Sequence, residues 1–421
     1  MSGNQVDARK LIKASFFKIR SALQKSVAVS VIVLTPFVLS GCSGGVSSPN
    51  TNGRAPGCGP GATVCYASPS GSDSNLGSLS APWKTVQRAF DSATPGLTVY
   101  FRGGTYPQSI AATTGFNQVE NNSGSPGNPI VFINYPGEVA LIQGSTRVNG
   151  SYVTFQGTPN NTPNCSATNP CGLIFEGSTG YTLAAISVCC AVNSNPNFVV
   201  FDHVEIRKGT FHAGFYEEGC NNTLTGSYVH DNGLQDRNED NGIYWSTTLA
   251  TCANGGLIAN NLVENNYSKG IQLFDTGSST SPANVTVTEN TSVNNGNTGA
   301  TVWGDHNVFV NNILYNNNNL SGGAANGAQA GLYTGTNTLV DHNLAFNPAN
   351  LLAPGWFNAG GCCISTSNTS IDPLFLSPSG LDWHILSSSP AIGFSNMNYI
   401  QTVDKDGVSR GSSPAAGAYQ Q

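Results

Sequence analysis

The chain has 421 residues, of which only 10% are charged, and it contains 49 glycines and 22 prolines. Low charge and abundant glycine favour stacked strands and tight turns over helices, and a repetitive fold can use this length as one body. Residues 1–41 hold six of the basic side chains and one acidic one; without them 11 basic and 22 acidic side chains remain, a net charge of −11. This balance argues against nucleic-acid binding, which needs a basic surface.

The N-terminus predicts an exported chain. Its basic residues precede an apolar run from Val27 to Leu39, and a Leu-Ser-Gly-Cys sequence that ends at Cys42 follows. A transmembrane anchor is the alternative, but the run is short for a span and Pro36 interrupts it. The segment resembles a bacterial lipoprotein signal, which implies removal of residues 1–41 and lipid attachment at Cys42.

We therefore expect a protein of the bacterial cell envelope, held on a membrane through the lipid on Cys42. Ser43 follows, with no Asp at that position, and this favours the outer membrane or cell surface in a Gram-negative host. Residues 42–62 are predicted to be a flexible tether, and residues 63–421 a single domain with caps at both ends.

The cysteines predict disulfide bonds. Ten remain after Cys42, an even number in an exported protein. Local spacing predicts three pairs, which are Cys58 with Cys65, Cys165 with Cys171, and Cys220 with Cys252. The adjacent Cys189/Cys190 and Cys362/Cys363 either close as vicinal bridges or exchange partners, and no spacing is typical of a zinc site.

A helix is predicted near the start of the domain. Trp83, Val86, Ala89 and Phe90 share one helical face. A helix over the open end of a stack of strands would shield the first strands, as repeat proteins require.

An eight-residue pattern recurs six times between Val199 and Asn347. Its copies are FDHVEIRK from Phe201, TGSYVHDN from Thr225, ANNLVENN from Ala259, TENTSVNN from Thr288, VNNILYNN from Val310 and VDHNLAFN from Val340. The last column holds Lys208, Asn232, Asn266, Asn295, Asn317 and Asn347. A second column holds His203, Ser227, Asn261, Asn290, Asn312 and His342.

Asn in a fixed column predicts a ladder at a corner of the fold. Each side-chain amide can donate to one neighbour and accept from the other, and Asn tolerates left-handed backbone angles. A second short segment follows each corner, for example GIYWS from Gly242 and GATVW from Gly299. Two strands per repeat without helical periodicity predict an all-β fold, a right-handed parallel β-helix.

Both ends of the domain carry motifs of a known superfamily. They are SPSGSD, APWKTVQRA and PGLTVYFRGGTY near the start, and DPLF and LDWHILSSSPAIG near the end. Residues 66–419 thus resemble secreted right-handed β-helix proteins of the pectate-lyase-like superfamily. The resemblance implies a polysaccharide partner, and the family nine pectate lyases within it use a calcium site and a catalytic lysine. Where that family has DGFAAK, this chain has NGIYWS, with Ser246 in place of the lysine.

The lengths of the insertions predict a groove. Copies two and five have long insertions after the Asn corner, near Leu234 and Gly323, while the copies between them have short ones. Coils stack about 4.8 Å apart, so walls three coils apart would leave roughly 14 Å for a sugar chain. Strand alternation points aromatic side chains outward on the floor between the walls; these are Tyr244, Phe274, Trp303 and Tyr333. They are candidates for sugar stacking, and packing beneath a loop is the alternative.

The first wall, HDNGLQDRNEDN, is rich in acidic residues. Its carboxylates Asp231, Asp236, Glu239 and Asp240 are candidate calcium ligands, with a solvated acidic loop as the alternative. Arg237, a further candidate catalytic residue, lies in the same wall, and Lys269 lies on the adjoining floor. Lys269 is the candidate base that removes a proton beside a carboxylate, and an exposed turn lysine is the alternative.

Three functions fit these residues, and we expect a monomer in each case. A polysaccharide lyase would use calcium to neutralise a uronate carboxylate and Lys269 to remove the adjacent proton. A glycoside hydrolase would use paired carboxylates, for which Asp240, Asp275 and Asp305 are the candidates. A glycan-binding or adhesive solenoid would need only the groove and its aromatic side chains.

Overall fold

A computed structural model describes most of the chain beyond residue 57. The described ranges are 58–59, 61–107, 116–157, 165–166, 168–177, 183–189, 195–210, 212–234, 239–246, 255–274, 284–318, 329–334, 337–349, 356–358 and 367–421. The chain separates into residues 1–53, of which none is described, and residues 54–421. Cys42 lies outside these ranges, so the lipid anchor stays a prediction. Within the described part, no helix is long and apolar enough to cross a membrane.

Strands dominate the described chain. The first half contains one helix, α1 (Val86–Asp91), and the strands β1 (Val64–Ala67), β2 (Thr98–Phe101), β3 (Gly104–Tyr106), β4 (Gln118–Glu120), β5 (Ile130–Asn134), β6 (Ala140–Gln143), β7 (Thr146–Val148), β8 (Val153–Gln156), β9 (Leu173–Glu176), β10 (Ile186–Val188), β11 (Val200–Asp202), β12 (Val204–Arg207), β13 (Ala213–Glu217), β14 (Asn222–Thr225) and β15 (Tyr228–His230).

The second half continues with β16 (Asn241–Trp245), β17 (Gly256–Ala259), β18 (Leu262–Glu264), β19 (Ile271–Leu273), β20 (Val285–Thr288), β21 (Thr291–Val293), β22 (Ala300–Gly304), β23 (Val308–Val310), β24 (Ile313–Tyr315), β25 (Ala330–Thr334), β26 (Leu339–Asp341), β27 (Leu344–Phe346), β28 (Trp356–Asn358), β29 (Phe375–Ser377) and β30 (Asp382–Ile385). Two short 3₁₀ helices, Pro378–Gly380 and Met397–Tyr399, lie near the end.

The strands stack into three parallel sheets. Sheet 1 is β1-β2-β5-β8-β11-β14-β17-β20-β23-β26, sheet 2 runs in steps of three from β3 to β27, and sheet 3 runs in the same way from β4 to β28. Each coil of the chain therefore adds one strand to each sheet in turn. The predicted β-helix is confirmed, with three strands per coil where the sequence indicated two.

Alternation along the strands fills the interior. In the inward column of sheet 1, Phe132, Phe155 and Phe201 stack with ring centroids 5.2 and 4.7 Å apart, and Leu224 follows in the next coil. All four side chains are fully buried. Burying each one contributes about 1.5–3 kcal/mol to folding.

Two asparagine ladders hold the corners of the coils, as predicted. At the corner between sheets 1 and 2, Asn261 Nδ2 donates to Asn290 Oδ1 at 2.9 Å, and Asn290 Nδ2 donates to Asn312 Oδ1 at 2.9 Å. At the corner between sheets 2 and 3 the same bonds join Asn232, Asn266, Asn295 and Asn317, each at 2.9 Å. The ladders are buried, and each Oδ1 also accepts a backbone N–H from the preceding coil.

The alignment of the first and last copies is wrong by one residue. The strand register pairs Asp202, not the residue before it, with Thr225, and the last copy shifts in the same way. Lys208 consequently lies at a left-handed corner position with φ 56°, outside the ladder. Asn343, rather than His342, continues the first ladder. In the structure, the coils align so that their inward apolar side chains lie above one another. The alignment from the sequence instead matched the last polar residue of each copy.

Helix α1 is shorter than the predicted apolar face. It begins after Thr85, whose Oγ1 accepts from Arg88 N at 3.1 Å, and its buried residues include Phe90, which packs edge-on against Phe132 at 4.8 Å. Trp83 is buried but precedes the helix.

Two of the predicted disulfide bonds are confirmed. They join Cys58 to Cys65 and Cys165 to Cys171. Cys220 is also disulfide-bonded, but its predicted partner Cys252 lies outside the described residues.

The C-terminal residues 396–410, which we call the C-terminal strap, run along the corner between sheets 1 and 2. Successive strap residues hydrogen-bond to five coil residues, which are Asn311, Thr288, Glu289, Asn260 and Gly226 in that order. The strap thus ties four neighbouring coils together. Before it, Phe375 and Trp383 cover the outer face of sheet 2, where their ring centroids lie 5.1 and 6.1 Å from that of Tyr315.

Replacing His384 by Gln should remove part of the pH dependence of stability. His384 hydrogen-bonds to Asp406 and Asp382 at 2.7 and 2.6 Å, and these bonds, that to Asp406 above all, raise its pKa from 6.5 to about 9. The protonated ring therefore stabilises the fold fully below pH 6.5, and this contribution is lost as the pH rises towards 9. The difference in Tm between the wild type and His384→Gln should shrink across that window. A constant difference would contradict the assignment.

Candidate functional site

A row of aromatic side chains crosses the outer face of sheet 3. Tyr216 stacks on Tyr244 with ring centroids 5.4 Å apart, and Tyr244 meets Phe274 edge-on at 6.3 Å. Phe274 contacts Trp303 at 5.2 Å, and Trp303 stacks on Tyr333 at 4.4 Å. The row spans five coils, or about 19 Å at 4.8 Å per coil. We call these five residues the aromatic row.

Strand register explains the course of the aromatic row. Tyr216 pairs with Tyr244, and Trp303 pairs with Tyr333. Tyr244 pairs with Gln272, and Phe274 lies two residues further along the chain, just after β19. The row therefore shifts along the strand direction by one outward-facing position between Tyr244 and Phe274. All five side chains are half-buried, which leaves part of each ring open to solvent. The sequence pointed to four of them and missed Tyr216, although FYE in copy one has the alternation of IYW in copy two.

Glycine occupies equivalent positions at the start of sheet 3 in successive coils, at Gly214, Gly242, Gly270 and Gly299, because the ladder leaves no room there. A Cβ on Gly242 would lie 2.6 Å from Asn266 Nδ2, and one on Gly299 would lie 2.5 Å from Asn317 Nδ2. The ladder and the aromatic row are therefore linked. Each of these coils turns tightly at its Gly, and the row residue follows at an even spacing, two residues later at Tyr244 and four residues later at Trp303.

Polar groups lie beside the first part of the aromatic row. His212 Nδ1 is 3.8 Å from Glu239 Oε2, and the His212 ring lies 5.7 and 5.9 Å from the rings of Tyr216 and Tyr244. The Tyr216 hydroxyl donates a short hydrogen bond to a Glu218 carboxylate oxygen. The sequence analysis missed His212, because nothing in the repeat pattern distinguishes it.

Lys269 lies at the edge of the same face. Its backbone N–H donates to Asn241 Oδ1 at 3.3 Å, and Asn241 Nδ2 donates to Gln272 Oε1 at 2.8 Å. Lys269 is 8% exposed, so it is not an ordinary solvated turn lysine. Lys269, two amide side chains and the first rings of the aromatic row thus belong to one edge of sheet 3.

The described carboxylates of the acidic wall have separate partners and do not gather around one point. Asp231 Oδ2 is 2.7 Å from His230 Nδ1, whereas Asp240 Oδ2 accepts from the backbone N–H of Leu234 at 3.0 Å. The hydrogen bond to His230 lowers the pKa of Asp231. Glu239 faces His212, and Asp236 and Arg237 lie outside the described residues. Within the described chain, no group of three or more His, Cys, Asp or Glu side chains is placed to hold a metal ion.

The carboxylates considered for hydrolysis are also separated. Asp240 immediately precedes β16, whereas Asp305 follows β22, two coils further on and at the opposite end of the sheet-3 strands. Five strand residues at about 3.3 Å each separate the two ends, which exceeds the spacing of a catalytic pair. Asp305 instead accepts from the N–H and the amide of Asn337, both at 2.8 Å. Asp275 lies outside the described residues.

The two predicted walls flank the same corner. Leu234 lies between β15 and β16, and Gln329 lies between β24 and β25, so both follow sheet 2 and precede sheet 3. Residues 235–238 of the first insertion and 319–328 of the second, including Gly323, lie outside the described residues, and the groove between the walls stays a prediction.

Comparisons with known proteins find similarity over parts of the chain. No protein-family model matches it. An uncharacterized Bacillus subtilis (strain 168) protein, YwoF, is 37% identical over 89 residues, which are 21% of this chain and 17% of that protein. Pectate lyase PEL9 of Emericella nidulans is 42% identical over 80 residues, which are 19% of this chain and 18% of that protein. The chain thus spans less than a fifth of the length of these curated relatives.

Solved structures are similar to the chain at low sequence identity. Pectate lyase Pel9A is 17% identical with a TM-score of 0.43, over 85% of this chain and 96% of that one. A glycoside hydrolase is 9% identical with a TM-score of 0.46, over 72% of this chain and 89% of that one.

Proposed function

We propose that this protein binds a polysaccharide along the aromatic row and cleaves it. The row carries the proposal, because five half-buried rings on successive coils form a strip about 19 Å long that matches the flat faces of several sugar residues. The partial identity to a fungal pectate lyase agrees with this substrate class.

The reaction we propose is elimination on a uronate-containing chain. Lys269 takes the proton from the carbon beside the uronate carboxylate, and the amide of Gln272 hydrogen-bonds to that carboxylate. The glycosidic C–O bond then breaks, a C=C bond forms, and the leaving oxygen takes a proton from water. The described residues offer no calcium site, so no step is assigned to a metal. Asp240 and Asp305 lie too far apart to act as the carboxylate pair of a hydrolase.

We further propose that the lipid on Cys42 holds the mature chain on the bacterial envelope, where the aromatic row meets external glycans. The N-terminal sequence supports this location, and labelling of Cys42 by a radioactive fatty acid in the native host would test it.

Product analysis tests the reaction. Purified protein lacking residues 1–42 is incubated with polygalacturonate, alginate and neutral glycans, with and without a calcium chelator. We expect ultraviolet absorbance from an unsaturated product on a uronate substrate. Reducing ends without that absorbance would instead show hydrolysis, and binding without cleavage would show an adhesive protein.

Two variants separate binding from chemistry. Trp303→Ala should weaken polysaccharide binding about tenfold, because it removes the ring that contacts both Phe274 and Tyr333. Tyr100→Ala is the matched control, since Tyr100 is also half-buried in an outer aromatic cluster but on sheet 1. Lys269→Met should abolish elimination while the dissociation constant stays near that of the wild type. Full activity of Lys269→Met would exclude Lys269 as the base.

A further inference from the structure

A separate cavity of about 690 Å³ lies at the corner between sheets 2 and 3, on the sheet-2 side. Its walls include Tyr228 and Glu264 from the outer face of sheet 2, Asp231 and Asn265 from the corner, and Leu381 from the C-terminal region. None of the aromatic-row residues lines it. The volume lies within the usual range for small-molecule sites, about 300–1,000 Å³.

The backbone fixes the polar rim of this cavity. Asp231, Asn265 and Asn294 occupy equivalent corner positions on successive coils, each in the left-handed conformation with φ of 51°, 51° and 56°. Their side chains therefore form a column along the rim, where the amide of Asn265 donates to Asp231 Oδ1. Each of these residues directly precedes a residue of the buried ladder in the sequence, so the ladder also holds their backbone in place.

The rest of the lining combines aromatic rings with a carboxyl group. The Tyr228 hydroxyl donates to Glu264 Oε2 at 2.9 Å, and burial raises the pKa of Glu264. Tyr267, half-buried beside the rim, contributes a second ring, and Leu381 adds an apolar surface. The cavity thus offers oxygen atoms that accept hydrogen bonds from hydroxyl groups, amide groups that donate them, and ring faces.

The charges of the lining residues limit the class of ligand that this cavity can bind. The described lining contains no Lys or Arg, which disfavours phosphate, sulfate and uronate ligands. Its carboxyl groups, Asp231 and Glu264, are already engaged by His230, Asn265 and Tyr228, and they do not form a metal site with a third such group among the described residues.

We propose that this cavity is a second carbohydrate site, one that takes neutral sugar residues. Amide and carboxylate side chains of the rim hydrogen-bond to sugar hydroxyls, and the ring of Tyr267 packs against a sugar face. This site is independent of the aromatic row and of the proposed elimination, since it shares no residue with either.

Isothermal titration of the mature protein tests this site. The probes are neutral tri- and tetrasaccharides of glucose, galactose and mannose, with trigalacturonate, inorganic phosphate and calcium chloride as comparisons. We expect one or more neutral oligosaccharides to bind, and Tyr267→Ala to weaken that binding about tenfold while Tyr267→Phe retains it. Tyr267 is half-buried, and the melting temperature of each variant checks that it folds.

Trp303→Ala distinguishes this site from the aromatic row. It should leave the binding of neutral oligosaccharides in the cavity unchanged, whereas it weakens polysaccharide binding on sheet 3. Absence of binding by every neutral sugar, equal affinity of Tyr267→Ala and wild type, or stronger binding of phosphate or calcium than of any neutral sugar would each overturn the second site. None of these results would bear on cleavage at Lys269.

Discussion

Arg410→Met should destabilise the folded protein by about 3–5 kcal/mol, because it removes one partner of a buried ion pair. Arg410 Nε lies 3.1 Å from Glu289 Oε1, and the side chains are 1% and 0% exposed. Arg410 also donates to the carbonyl oxygens of Ala415 and Gly417 and to Asn260 Oδ1, at 2.7 to 2.8 Å. Burial raises the pKa of Glu289 to about 7 even beside Arg410. Loss of Arg410 would leave the Glu289 carboxyl group without its positive partner and three oxygen acceptors without this donor.

Chemical denaturation monitored by tryptophan fluorescence measures this effect. Lys84→Met is the control, because Lys84 is an exposed cation and its loss should change stability by less than about 0.5 kcal/mol. The double variant Arg410→Met, Glu289→Met should recover much of the loss, since it removes both charges. If Arg410→Met were no less stable than Lys84→Met, the C-terminal strap would not depend on this pair.

The sequence could predict the coils but not the C-terminal strap. Alternation of apolar residues and recurrence of Asn are local patterns, and they give strands and ladders directly. The strap acts through contacts that no local pattern marks. Lys405 Nζ donates to the carbonyl of Gly226, 179 residues away, and Arg410 reaches Asn260 across 150 residues. Only the complete fold brings such partners together.

The same distinction between local patterns and distant contacts applies to the candidate site. The outward direction of Tyr244 and Trp303 follows from strand alternation, which the sequence contains. The partners of acidic side chains depend on corner geometry instead. The left-handed backbone at Asp231 directs its carboxylate to His230 and Asn265, away from Asp240, although the two acidic residues lie only nine positions apart.

The ladder supports both proposed carbohydrate sites, and this gives a second large expected effect. Asn295→Ala should destabilise the protein by about 3 kcal/mol. Asn295 Oδ1 accepts from the N–H and the amide of Asn266, at 3.0 and 2.9 Å, and Asn295 Nδ2 donates to Asn317 Oδ1 at 2.9 Å. The residue is fully buried, and each polar partner left unsatisfied in the interior costs about 1–3 kcal/mol.

Asn398→Ala is the matched control for Asn295→Ala, because Asn398 is exposed and should contribute less than about 0.5 kcal/mol. Denaturation midpoints compare their stabilities, and hydrogen exchange locates the damage. We expect faster exchange at the N–H of Asn266, which loses its acceptor, and at neighbouring amides of β18 and β21. Because Tyr267 follows Asn266 directly, the loosened corner should also weaken sugar binding in the cavity before the fold unfolds. Equal stability of the two variants would mean that water replaces the amide at no cost, and the ladder would then set the shape of the corner without stabilising it.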